Sequence, residues 1–354
     1  MKILITGVGG PTPRSFAISL QKYSKYAKFE FIATDINPLA IGLYQKDLFK
    51  KSYIVPRATD KNYWNVIEKI IAENAIEFAI ILPELEVLEW SKRKQNGALP
   101  CKVLLPDYSM AELLVDKAKM TNLLEVLDIV PKSIEFSRNE ANLDKIGNKL
   151  GYPYWVRSTS GTSGLGSLKI EGRNSLKDWI HINPDVNMFL ASTFLSGRNL
   201  ACKLLYFKGK LLRAAIGERV HYIMAKVSPS GITGNTSFGR LLNEPKLVEK
   251  AIKAMDYMFQ HTGAKIHGFF TVDFKEDEHG KPYITEVNVR HVAFTQCFAA
   301  GGANFAEDTI RLLDNDPDFD REFKIYEFEK DLIFLRDVDA QPILMKECDL
   351  NSKI

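Results

Sequence analysis

The sequence predicts an α/β fold for its first third and an α+β fold for the remainder, on three observations. Up to about residue 105, short apolar strands alternate with helical stretches, the pattern of a parallel sheet covered on both faces. Beyond Pro106 the alternation gives way to strands joined by loops and hairpins. Finally, Ile266-His267-Gly268-Phe269-Phe270-Thr271-Val272-Asp273-Phe274 and Thr285-Glu286-Val287-Asn288-Val289-Arg290-His291 flank a polar turn, Glu276 to Lys281, and read as one β-hairpin.

In the first part, Lys2 to Thr6 reads as a strand and about Arg14 to Ser24 as a helix. Strands follow at Phe29 to Thr34, Tyr53 to Val55, Phe78 to Leu82 and Lys102 to Leu105, with a helix near Tyr63 to Asn74. Such sheets bind ligands at the carboxyl ends of their strands, here the loops Gly7 to Pro11, Asp35 to Pro38 and Pro83 to Glu86. Asp116 opens a helix running to about Leu127, and Asp128-Ile129-Val130-Pro131 breaks the chain. A helix spans about Asn139 to Leu150. The strand Tyr152 to Arg157 leads into Ser158-Thr159-Ser160-Gly161-Thr162-Ser163-Gly164-Leu165-Gly166-Ser167, and Leu168 to Ile170 is its partner. That loop is rich in hydroxyls and free amides. It suits an anion-binding nest better than a tight turn, although a plain Ser/Gly hairpin loop has the same composition. Further strands are predicted at Met188 to Leu195, Asn199 to Phe207, Lys210 to Val220, Phe238 to Leu242 and Leu332 to Leu335. Helices are predicted at about Lys246 to Gln260 and Asn304 to Leu313.

Side chains alternate faces along a strand, so Glu286, Asn288 and Arg290 share one face. A register that opposes Asp273 to Ile284 or Glu286 adds Asp273 to it. Two carboxylates and an amide oxygen are hard donors suited to Mg²⁺, which commonly also holds substrate phosphates, and arginine adds a fork for phosphate oxygens. Taken alone, the same spacing fits a solvated hairpin face.

Composition narrows the classes. With 354 residues the chain predicts two or three domains. A net charge of +3 gives no reason to expect nucleic acid or an acidic membrane surface as partner. Cys101, Cys202, Cys297 and Cys348 lie far apart, as expected of reduced thiols in a cytoplasmic protein. No apolar run has the length of a membrane span, and the first residues read as a strand rather than a signal peptide. A dinucleotide-binding dehydrogenase is a rival reading of the first part. Its glycine turn, however, reads G-x-G-G-P-T-P, and Pro11 and Pro13 lack the amides that cradle a pyrophosphate.

In order along the chain, these segments resemble the ATP-grasp superfamily, in particular its carbamoyl-phosphate-synthase-like group. The resemblance rests on the Ile3-Leu4-Ile5-Thr6-Gly7 start, Asp35-Ile36-Asn37-Pro38, Asp116-Lys117, Asp128 to Pro131, the Tyr152 to Arg157 strand with its loop, and Asp273 with Glu286-x-Asn288-x-Arg290. It implies a parallel-sheet pre-ATP-grasp domain over residues 1–115, then a two-lobed ATP-grasp fold. The small lobe with its glycine-rich lid would be 116–190, the large lobe with the metal hairpin 191–320, and 321–354 a C-terminal extension.

The resemblance also implies roles. Lys117, Arg157, Ser158, Ser160, Gly161, Ser163 and Gly164 fall on the ATP phosphate site. Phe194 and Leu195 fall on the adenine hinge and Asn199 on the ribose position. Asp273, Glu286 and Asn288 fall on the ligands of one or two Mg²⁺ ions, or Mn²⁺ in their place, and Arg290 on the arginine facing the transferred phosphoryl. One departure stands out. The hinge reads Ala191-Ser192-Thr193-Phe194-Leu195-Ser196-Gly197-Arg198-Asn199, without the acids common in the family and with Asn199 where a ribose-binding Glu is usual.

The implied activity is an ATP-dependent ligase that joins a small-molecule carboxylate to an amine through an acyl phosphate, in a protein of homodimeric habit. A complete carbamoyl-phosphate synthase is not expected from one ATP-grasp unit. A nucleotide-binding regulatory protein with reduced catalysis is the alternative, favoured by the altered hinge and disfavoured by the intact hairpin set. Arg219, His221, Lys226 and Arg240 are candidate contacts for an acidic acceptor, Glu84 and Glu86 for an amine, and His267 and His291 read as structural.

Overall fold

The computed structural model describes residues 1–139, 143–161, 166–337 and 343–349. Its first sheet is fully parallel, in the order β3-β2-β1-β4-β5, from β1 (Lys2–Thr6), β2 (Glu30–Asp35), β3 (Lys51–Ile54), β4 (Phe78–Ile80) and β5 (Lys102–Val103). Helices α1 (Pro11–Tyr23), α2 (Tyr63–Asn74) and α3 (Glu84–Gln95) connect the strands. Helix α1 starts three residues earlier than its pattern predicts, because prolines in a first helical turn give up no hydrogen bond. Helix α3 begins inside the loop expected at Pro83 to Glu86 and runs on through a stretch to which the sequence pattern assigns no element. Only a thin stripe of Glu86, Val87, Trp90 and Ser91 is buried, so apolar periodicity does not reveal it, while Glu84 and Glu86 suit the positive N-terminal end of the helix.

Helices α4 (Tyr108–Val115) and α5 (Lys117–Leu124) lead out of this sheet. Asp116 caps α5 by accepting from the amides of Ala118 and Lys119, which fixes where Lys117 leaves the helix. A four-stranded antiparallel sheet follows, in the order β6-β9-β7-β8, from β6 (Ser133–Ser137), β7 (Tyr154–Ser158), β8 (Leu168–Ile170) and β9 (Met188–Thr193). Helices α6 (Leu143–Leu150) and α7 (Arg173–Ile182) pack on it through Ile146, Leu176 and Trp179 against Tyr154, Val156 and Phe189.

The large sheet contains β10 (Asn199–Phe207), β11 (Lys210–Tyr222), β12 (Thr236–Leu242), β13 (Gly268–Glu276), β14 (Pro282–Asn288), β15 (Lys324–Ile325), β16 (Leu332–Leu335) and β17 (Ile343–Lys346). Its path is β14-β13-β10-β11-β12-β16-β17, and β15 pairs with β11. One face, including Cys202, Leu204, Val272 and Phe274, packs on α8 (Pro245–Thr262) in a core shared with α2 and α3 of the first sheet. The opposite face divides along its length. At one end Leu205, Phe207 and Phe269 pack into a second core with α1, α9 (Thr295–Ala300) and α10 (Phe305–Leu313). Asn199, Arg219, Asp273 and Glu286 occupy the other end and line a cavity.

Candidate active site

The hairpin β13–β14 pairs Asp273 with Glu286 and Thr271 with Asn288, one of the two registers that bring Asp273 onto the shared face. A bulge between Asp273 and Phe274 restores the alternation towards the turn. Asn288 donates from Nδ2 to Asp273 Oδ2 at 3.1 Å. Across the cleft, Lys117 Nζ lies 3.4 Å from Glu286 Oε1 and donates to the Gly161 carbonyl at 2.6 Å. Arg157, at the end of β7, donates to the Thr285 carbonyl at 2.6 Å, while its buried Nε has no hydrogen-bond partner among the described residues. Three elements distant in sequence thus bring two cations beside the buried Asp273 and the half-buried Glu286.

Electrostatics follow this arrangement. Burial pushes Asp273 up to about 6, against the lowering influence of Arg219. Glu286 ends below the ordinary carboxylate range: burial pushes it up, but Lys117, Arg157 and Arg290 outweigh that. Desolvation lowers the Arg157 guanidinium, against the pull of Glu286 and Asp273.

A cavity of about 480 Å³ opens over this floor, within the size range of small-molecule sites. Ser158, Gly161, Phe194, Leu195 and Asn199 all line it, as do Trp155 and Tyr222. Ser160 is exposed on the loop after β7, and its amide reaches Ser158 Oγ at 3.4 Å. Ser163 and Gly164 lie outside the described residues. The hinge is tied to the hairpin: Lys275 Nζ donates to the Gly197 carbonyl at 2.6 Å, and a Cβ at Gly197 would lie 2.6 Å from Glu276 Cβ. A strand-borne lysine in place of missing hinge acids has no sequence signal short of knowing the β10–β13 register. From the far side, Ser230, Gly231, Ile232 and Gly234 of the polar loop also line the cavity.

Arg290 follows the end of β14. It donates to Glu84 Oε1 at 3.1 Å and to the His291 carbonyl at 3.1 Å, with a buried, unpartnered Nε among the described residues. Glu84 therefore joins the hairpin rather than standing free for an amine. Glu86 is buried and accepts from Tyr63 Oη at 2.8 Å, a structural contact. Arg219 donates to Asp273 Oδ1 at 2.6 Å. Arg240 is paired with Glu218 and Glu347, and His221 and Lys226 are exposed. His291 is buried, stacked on Phe269 with 3.7 Å between ring centroids, and its pKa falls well below the usual value through desolvation. His267 is pushed down to about 4 by burial and accepts from the Lys208 amide. Asp35 accepts from the amides of Gly9 and Asn37, so the acid of the rival dinucleotide reading is used within its own loop.

Sequence patterns did not single out Lys203. It lies beneath the acids, fully buried, with Nζ about 5 Å from the rings of Phe294 and Phe298 and 3.3 Å from Thr295 Oγ1. Desolvation pulls its pKa from 10.5 down to about 7. Since the unfolded chain holds this proton up to about pH 10.5, folding gains stability as pH rises from about 7 to 10.5 and loses it again on acidification. Lys203→Met is expected to raise the unfolding midpoint below pH 7, with the advantage shrinking towards pH 10.5. Thermal melts of both proteins across that range check this, and a pH-independent difference would refute it.

No protein-family profile matches the chain. Over 133 residues it is 29% identical to the arginine-specific large chain of carbamoyl phosphate synthase from Schizosaccharomyces pombe, covering 36% of this chain and 11% of that one. Over 211 residues it is 24% identical to D-alanine–D-alanine ligase from Neisseria meningitidis serogroup B, covering 56% of this chain and 66% of the ligase. The matched part is thus a small fraction of the first relative and just under two thirds of the second. Among solved structures, N5-carboxyaminoimidazole synthetase from Staphylococcus aureus, complexed with ADP, superposes with a TM-score of 0.68 at 16% identity, over 94% of this chain and 81% of that one. Over 94% of its length the chain therefore shares the fold of that synthetase: a parallel sheet, followed by two further sheets with the cavity between them.

Proposed function

We propose that the protein is an ATP- and Mg²⁺-dependent ligase that joins a small carboxylate to an amine. One observation carries the reading: the directly opposed acids Asp273, buried, and Glu286, half-buried, lie with Lys117 and Arg157 on the floor of a ligand-sized cavity. This donor set fits the reactants. Asp273, Glu286 and the side-chain oxygen of Asn288 are hard ligands for Mg²⁺ or Mn²⁺. The unpartnered buried Nε atoms of Arg157 and Arg290 suit phosphate oxygens. When bound, the metal ion supplies charge neutralisation at phosphate oxygens.

The chain's own residues do the remaining work. Phe194 and Leu195 offer an apolar wall and backbone groups to adenine, and Asn199 a polar group to the ribose. Lys117 and Arg157 hold phosphates, exchanging their contacts with Glu286 and Thr285 for the nucleotide. Ser158, Ser160, Gly161, Ser163 and Gly164 are assigned to the loop that closes over it. Arg290 stabilises the γ-phosphoryl as it passes to a substrate carboxylate oxygen and ADP leaves. Attack of the amine on the resulting acyl phosphate forms the C–N bond, releasing phosphate and the amine's proton. A closed loop would shield the acyl phosphate from water. Relatives of this fold that are ligases, one of them solved with ADP, support the reading.

The test is a thermal-shift titration with Mg·ATP, followed by phosphate release across pooled amino acids and sugar acids. Metal-dependent stabilisation with release from some pools is expected. No stabilisation at millimolar nucleotide would overturn the proposal. Stabilisation without release from any pool would favour a nucleotide-binding protein with reduced catalysis, the reading that the acid-free hinge supports.

A further inference from the structure

Beneath the cavity, Arg219 is bound to a residue assigned to the metal. Its Nη2 lies 2.6 Å from Asp273 Oδ1, and both side chains are only 12% exposed. The other carboxylate oxygen of Asp273 accepts from Asn288. Arg219 is held from a further side as well: its guanidinium lies 5.0 Å from the Phe294 ring centroid. Register explains the placement. Arg219 on β11 pairs with Asn199 on β10, and Ala201, two residues along β10, pairs with Asp273 on β13. Only a short alanine therefore separates the arginine from the acid on that face, and the guanidinium spans it.

We propose that Arg219 is a built-in counter-ion of the metal centre, so that the site takes one divalent cation and not two. The inference rests on the ATP reading above and deepens it. A second ion on Asp273 would have to share Oδ1 with a guanidinium, placing a divalent and a monovalent charge on one buried oxygen, where repulsion is weakly screened. Swinging the arginine aside would remove a buried charge from its one carboxylate contact among the described residues, an unfavourable exchange. Glu286 and the oxygen of Asn288 stay available for one ion, with Asp273 Oδ2 behind them. The Nε of Arg219 is buried without a hydrogen-bond partner among the described residues. It is the donor that meets a phosphate oxygen in place of the second ion.

The experiment counts bound Mn²⁺ per chain by the electron paramagnetic resonance signal of free Mn²⁺, with a non-hydrolysable ATP analogue present. Nucleotide binding is measured separately by equilibrium dialysis of the radiolabelled analogue. One Mn²⁺ per nucleotide is expected for the wild type and for Arg219→Lys, which keeps the charge, and two for Arg219→Gln. Two Mn²⁺ in the wild type, or one in a folded Arg219→Gln, would overturn the proposal. The wild-type count decides against it independently should the glutamine variant fail to fold. Absence of nucleotide binding in the dialysis would sink the ATP reading and this inference together, whereas nucleotide bound with two Mn²⁺ sinks only the inference.

Discussion

Glu286→Ala is expected to lower Mg·ATP-dependent phosphate release at least about 100-fold, since even partners one shell removed from a metal typically cost 10–100-fold. The loss has two sources. Glu286 is a proposed metal ligand, and it is also the carboxylate beside Lys117 in a site whose other cation, Arg157, is half-buried. Deleting it leaves two cations on the cavity floor with only Asp273 to balance them, and Asp273 is already engaged by Arg219. Nucleotide alone can therefore still bind the variant, drawn by uncompensated positive charge, while the metal requirement is lost. Thermal-shift titrations with ATP and with Mg·ATP separate these effects. A variant that keeps both metal-dependent stabilisation and wild-type turnover would remove Glu286 from the metal set.

Arg290→Ala is expected to lower kcat by about 10³-fold, the low end for an arginine that faces a transferring phosphoryl group. KM for ATP should change much less, because Lys117 and Arg157 hold the rest of the nucleotide in this reading. Arg290→Lys should rescue little, as an ammonium cannot reproduce the fork that reaches Glu84 and the His291 carbonyl together. Steady-state kinetics on the substrate found in the pool screen measure both. A rise in KM at unchanged kcat would instead make Arg290 a ground-state binding residue. Glu84→Ala is an internal control, because it leaves the arginine in place and removes only its tether to α3.

Much of this protein is legible in its sequence, for local reasons. Apolar strands separated by helical stretches give a parallel sheet, because such strands need cover on both faces. The hairpin acids could be put on one face because strand periodicity is two. Pro11 and Pro13 argued against a dinucleotide turn through their missing donors. Helices with a broad apolar stripe, such as α8, were visible, whereas α3 and α7, which bury few residues, were not.

Sequence by itself determined the layering of the fold, the acid-rich hairpin and the loop that follows Arg157, since each depends on residues close together along the chain. Only the tertiary structure decided which cation meets which acid. Lys117 reaches Glu286 from α5, Arg219 reaches Asp273 across the strand between them, and Arg290 is tethered to Glu84 at the start of α3. These are long-range pairings fixed by sheet register and by packing between sheets, and a charge carries no mark in the sequence of the partner that burial will assign it.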